Sequence, residues 1–167
     1  MTTIYYAVCA MEFSTSAFAL APSNPCANST LAAAGTTGQQ QIATAQGFIA
    51  AGQIGASATP YSNPLLTFAG SLYGYYAAVH TGGPNDIKNQ PGPGYQNQVG
   101  IDAGNISFGV TCPFGATFCQ AAAGAAQFGA ALFGKASFGS PRTFMDTPSD
   151  NASIKVGQAM RAAGCHE

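Results

Sequence analysis

The sequence predicts a mainly α fold, with an α+β arrangement as the alternative, folded as one compact domain over residues 1–167. Three observations carry this. Apolar residues recur at helical spacing through 65–79, two proline-containing segments at 62–64 and 147–150 read as helix starts, and a Gly/Pro-rich stretch after residue 80 separates the two. A hydrophobic content of 47% is enough to fill a core.

Taken in order, residues 1–28 read as irregular or strand-like and end in the turn-rich APSNPCANS. Residues 4–21 are apolar and finish in Ala-Leu-Ala, as signal peptides do. No basic residue precedes the run and Glu12 sits inside it, so it reads as folded chain, with any export signal carried elsewhere on a larger parent polypeptide. Ser29 caps an uncharged helix running to about Ala56. In the next helix Ser62 is the N-cap, Pro64 lies in the first turn, and Leu65, Phe68, Leu72, Tyr76 and Val79 form the apolar stripe, until Gly82-Gly83 stops it. Residues 81–105 read as a long central loop with one short extended piece. The alternation in GNISFGV (104–110) predicts a short strand-like segment. Ala- and Phe-rich 118–134 reads as a buried helix. A final helix starts at Thr147-Pro148-Ser149-Asp150, a near capping box, and ends at Gly164.

Only 7% of residues are charged, against roughly a quarter in a typical domain. Net charge is −1 and the five bases are scattered, so no strong nucleic-acid binding is expected. Cys112 and Cys119 bracket a Pro-Phe-Gly turn and suit a disulfide; a Cys9–Cys26 bridge is conceivable and would leave Cys165 free. Bridges point to an oxidising compartment such as the periplasm, and buried free thiols are the alternative. The cysteine spacing does not fit zinc, and neither a metal nor another cofactor is expected. No stretch reaches the roughly 18 apolar residues that span a bilayer.

With so few charges, HTGGPNDIKNQPGPG (80–94) stands out. In extended backbone, Asp86 and Lys88 fall on one side, where an ammonium binds an anion and a carboxylate moves a proton. The plainer reading is a solvated turn in which Asn85 and Asp86 satisfy their own backbone. His80 ends a helix, where the dipole favours its charged form; a proton-transfer or substrate-contacting role is the alternative. Tyr73 and Tyr75 fall off the apolar stripe, as half-buried core residues or as a platform for a planar or sugar ligand. Asp102 and Asn105 flank Gly104 at a turn, and Asp150 suits a helix cap. Walker, dinucleotide, H-E-x-x-H and G-x-S-x-G motifs are absent from the sequence.

Four segments, VHTGGPNDIKN (79–89), DAGNISFGV (102–110), AAQFGAALFG (125–134) and DTPSDNASIKVG (146–157), together resemble the type 44 domain of bacterial polymorphic toxins. That family's pattern reads approximately Gly-Gly-x-Trp-Asp-x-Lys, Gly-Asn-Phe-x-Tyr-Gly and Asp-x-x-x-Asp before a final helix. It maps onto Gly82, Gly83, Asp86, Lys88, Gly104, Asn105, Gly109, Asp146 and Asp150. Asn85 stands in place of the Trp, Ile106 and Phe108 replace an aromatic residue and a Tyr, and Ser107 lies where His is often seen. The resemblance covers about residues 65–160, so residues 1–60 form a variable N-terminal part and 62–165 the motif-bearing part. It implies an antibacterial toxin domain, delivered by a carrier or secretion-system component and neutralised by a cognate immunity protein.

Near-neutral charge, potential disulfides and a tyrosine-rich helix beside an acidic loop then favour a peptidoglycan hydrolase, muramidase-like, acting in the periplasm of a target bacterium. Cutting a glycan requires a proton donor and a second carboxylate. Asp86 is the expected donor, Asp102 or Asp150 its partner, and Asn105 and Lys88 orient the substrate. One alternative is a metal-independent ribonuclease using His80, Asp86 and Lys88; the other is a non-enzymatic toxin that perturbs membranes through the Ala/Phe/Gly helix.

Overall fold

The computed structural model describes residues 24–132, 139–143 and 146–166, and these are mainly helical, without a strand. The readings of residues 1–23, including the apolar run at 4–21 and Cys9, lie outside the described residues.

The helix expected over 29–56 is two helices, because a stronger start signal lies inside it. Asn28 caps α1 (Ser29–Ala33) by accepting from the Thr30 and Leu31 N–H groups. Gly35, at φ +80°, turns the chain. Thr37 then opens α2 (Gly38–Ser57) with a full capping box: its hydroxyl accepts from Gln40 N, and the Gln40 side chain accepts from Thr37 N.

Helix α3 (Pro64–Val79) is capped by Asn63 rather than Ser62, since Asn63 Oδ1 accepts from Leu66 N at 2.9 Å. It runs antiparallel to α2, and the close approach of the two backbones decides which face is buried. A Cβ on Gly52 would sit 2.1 Å from the Gly70 carbonyl oxygen, and one on Gly74 would sit 2.2 Å from that of Phe48. Only a small-residue face permits this, so Ser71, Gly74, Tyr75 and Ala78 are inside. The expected stripe fails: Leu65 is 74% exposed and Tyr76 62%.

The expected loop over 81–105 ends early. A single 3-10 turn (Ile87–Asn89) interrupts it, and Asn97 caps α4 (Gln98–Thr111). The strand-like segment at 104–110 is therefore helix. Its alternation concealed a second pattern, Ala103, Ile106, Ser107 and Val110, which is the face that α4 buries. Helix α6 (Pro148–Ala162) starts where the sequence predicts, with Thr147 Oγ1 accepting from Asp150 N and Pro148 in the first turn. It crosses α4 at another glycine pair: a Cβ on Gly109 or on Gly157 would come within 2.1 Å of the facing backbone oxygen.

The Cys112–Cys119 bridge joins the end of α4 to α5 (Ala116–Leu132). This helix is less buried than its composition suggests: Cys119 is inside, whereas Phe118, Phe128 and Leu132 are exposed. Cys26 pairs with Cys165, not with Cys9, tying the chain before α1 to the end of α6 across 139 residues. The bridge belongs to a core with Leu31, Ile42, Ile106, Val110 and Met160. A second core gathers Tyr75, Ala78 and Cys119 around Phe108 and Phe114. No helix among the described residues is long and apolar enough to cross a membrane.

Candidate functional site

The loop after α3 is pinned from inside. Asn85 donates from Nδ2 to the Gln41 carbonyl and from its backbone N to that of Ala78. Asp86 is 7% exposed, and its Oδ2 accepts from Gly82 N at 2.7 Å and from Asn89 Nδ2 at 2.6 Å. Gly82 supplies the φ of +85° that brings its N–H to the carboxylate. The extended backbone that would set Asp86 and Lys88 side by side is absent. Asp86 is instead the cap residue of the 3-10 turn, in which residues two apart point to different faces. Asp86 is accordingly buried, Lys88 is exposed, and no ion pair joins them.

What lies near Lys88 is the start of α6, far along the chain. Asp146 is 3% exposed there, with Oδ1 accepting from Thr147 N at 2.9 Å and Oδ2 without a hydrogen-bond partner among the described residues. Burial raises its pKa from the ordinary 3.8 to about 6. The Asp150 charge adds to the rise, while the Thr147 N–H and the Lys88 ammonium oppose it. Asp86 is not among the charges that act on it.

Asp150, in the first turn of α6, accepts at Oδ1 from Asn105 Nδ2 of α4 at 2.9 Å. The adjoining Asn151 is 2% exposed and its Nδ2 also lacks a partner among the described residues. Folding thus sets Asn105 against Asp150, and Asp150 and Lys88 within electrostatic reach of Asp146, which the resemblance maps but to which the sequence assigns no role. The only local hint was its place directly before the helix cap. Burial, the property that singles it out, comes from tertiary packing.

The remaining expected residues stand differently. Asp102 and Asn105 are one turn apart on α4 rather than at a turn, and Asp102 Oδ1 accepts from Gln98 Nε2. Tyr75 is no ligand platform: it is 5% exposed, its hydroxyl donates to the Phe108 carbonyl, and burial pushes its pKa far above the ordinary phenol value. Tyr73 is exposed on the outer face of α3. His80 is the residue capping the end of α3, exposed and stacked on Tyr76 with ring centroids 5.2 Å apart. No group of three His, Cys, Asp or Glu side chains placed to hold a metal occurs among the described residues.

A protonated carboxyl beside a second carboxylate is a pair suited to acid catalysis. One group holds its proton up to about pH 6, and the other is held by the Asn105 amide, an arrangement that can give up a proton and stabilise positive charge. No protein-family model, curated protein or solved structure matches the chain, so the likeness to type 44 toxin domains rests on the quoted motifs.

Proposed function

We propose that this domain is an antibacterial effector toxin that hydrolyses peptidoglycan glycan strands in the periplasm of a target cell. The observation that carries the reading is Asp146, buried, raised to about 6, and set beside Asp150. In this assignment Asp146 protonates the leaving glycosidic oxygen, and Asp150 acts on the anomeric carbon directly or through a water. Asn105 orients the Asp150 carboxylate, and Lys88 lowers the cost of the second negative charge once Asp146 has given up its proton. The proton donor is therefore assigned to Asp146 in place of Asp86, whose carboxylate holds the loop. Two disulfides fit an oxidising site of action. A cognate immunity protein and a carrier that delivers the domain complete the proposal.

The test incubates the purified domain with isolated sacculi and, separately, with total RNA, and reads the products by mass spectrometry and gel. Muropeptides from the sacculi, lost in Asp146→Asn and Asp150→Asn, are the expected result. RNA fragments with intact sacculi would overturn the reading in favour of a ribonuclease.

A further inference from the structure

At the far end of α6 from Asp150, Arg161 lines a half-open cavity of about 280 Å3 formed with α2, α3 and the turn after α4. Ile42, Ile49 and Phe114 supply apolar wall, and Thr111 and Gln53 supply polar edge. One guanidinium N–H donates to the Val110 carbonyl at 3.0 Å, which fixes the side chain against the end of α4. A guanidinium carries five N–H donors. No ion pair joins Arg161 to an acid among the described residues, although it is half-buried. A guanidinium fixed beside apolar wall, with no acid partner among the described residues, is the chemistry that recognises a carboxylate carrying a small apolar group, through paired charge-assisted hydrogen bonds. The volume of about 280 Å3 falls just below the roughly 300–1,000 Å3 of drug-sized sites and suits one or two small residues.

We infer that this cavity binds the terminal carboxylate of a short peptide with a small apolar side chain, such as the D-alanine that ends a peptidoglycan stem peptide. The identification of the stem peptide rests on the hydrolase reading; the carboxylate specificity does not. Asp150 and Arg161 are eleven residues apart on one helix, or three turns, a separation of about 16 Å with both on nearly the same face. A glycan cut near Asp150 with its stem held at Arg161 would use both ends of α6.

The experiment has two arms. In the first, N-acetyl-D-alanyl-D-alanine and its carboxamide are titrated into the 15N-labelled protein. Shifts at Ile49, Thr111 and Phe114 with the free acid, and at least tenfold weaker binding of the carboxamide, are expected. Equal binding of the two, or no shift with either, overturns the inference. Arg161→Lys is expected to weaken the acid roughly 10- to 100-fold, the worth of lost charge-assisted hydrogen bonds. Because that change also disturbs the bond to Val110, Gln53→Trp, which fills the cavity from its exposed rim, must abolish binding without altering the melting temperature greatly.

In the second arm, hydrolysis of stem-bearing glycan strands is compared with strands stripped by an amidase. A KM roughly tenfold lower for stem-bearing strands, lost in Gln53→Trp, supports the stem assignment, and equal KM values overturn it. If neither strand is cut, the hydrolase reading and the stem assignment fall together, and the titration still decides whether the cavity takes a carboxylate.

Discussion

Replacing Asp146 by Asn separates catalysis from stability, because the two are expected to move in opposite directions. Below about pH 3.8 the carboxyl is neutral in both folded and unfolded chains. Between there and about pH 6 the folded chain holds a proton that the unfolded chain has released, so stability declines as pH rises through this window. Above about 6 the folded protein carries a charge in a place that disfavours it. At about 1.4 kcal/mol per pH unit, the rise from 3.8 to about 6 is worth roughly 3 kcal/mol. Asn removes that cost and keeps the oxygen that accepts from Thr147 N. It also adds an amide donor where Oδ2 has no partner among the described residues, which costs about 1 kcal/mol or more. The variant should therefore be about 2 kcal/mol more stable than the native chain at pH 7.5, and the gap should close or reverse at pH 3.5. Urea unfolding with the disulfides intact, followed at both pH values, measures this. Loss of the proton donor should meanwhile lower sacculus hydrolysis about 100- to 10,000-fold. A variant less stable than native at pH 7.5, or a difference that does not change with pH, would refute the electrostatic account of Asp146.

Hydrolysis by the native domain should decline as pH rises through about 6, as the donor loses its proton, and a pH–rate profile reads this directly. Asp86→Asn should retain hydrolysis, since the amide oxygen still accepts from Gly82 N, whereas Asp86→Ala should lose about 1–3 kcal/mol of stability. An inactive Asp86→Asn with an unchanged melting temperature would return the chemistry to Asp86. Gly109→Ala places a Cβ 2.1 Å from the Ile154 carbonyl and should force α4 from α6, lowering the melting temperature and activity together. Gly47→Ala, with nothing within 4 Å of the new Cβ, should instead stabilise the protein by about 0.5–1 kcal/mol. Removing the Cys26–Cys165 bridge by a double Ser substitution frees a loop spanning 139 residues, an entropic loss of up to about 5 kcal/mol that thermal unfolding would detect.

The site was half legible. Lys88, Asn105 and Asp150 are candidates on residue type and motif, and folding bonds Asn105 to Asp150 and sets Asp150 and Lys88 within electrostatic reach of Asp146. Asp86 attracted attention as an acid in a charge-poor chain, but acid and base roles depend on what surrounds a carboxyl. Two N–H donors tie Asp86 to its own loop, while Asp146, with the same side chain, has an oxygen without a partner among the described residues. Tyr75 shows the same limit: the sequence leaves it as a half-buried core residue or a ligand platform, and the small-residue face of α3 takes it fully into the core.

The sequence by itself determined the features settled within a few residues. These are the mainly helical class, the start of α6 at Thr147-Pro148, the closure of the Cys112–Cys119 turn and the end of α3 near His80. Each depends on a cap, a proline or a short loop whose partners lie within about one or two helical turns. The tertiary structure alone decided that 98–111 is helix, that the glycine faces of α3, α4 and α6 pack inward, that Cys26 meets Cys165, and that burial raises the pKa of Asp146. Burial, backbone approach and charge–charge proximity are properties of atoms distant in sequence, and they exist only once the helices are packed.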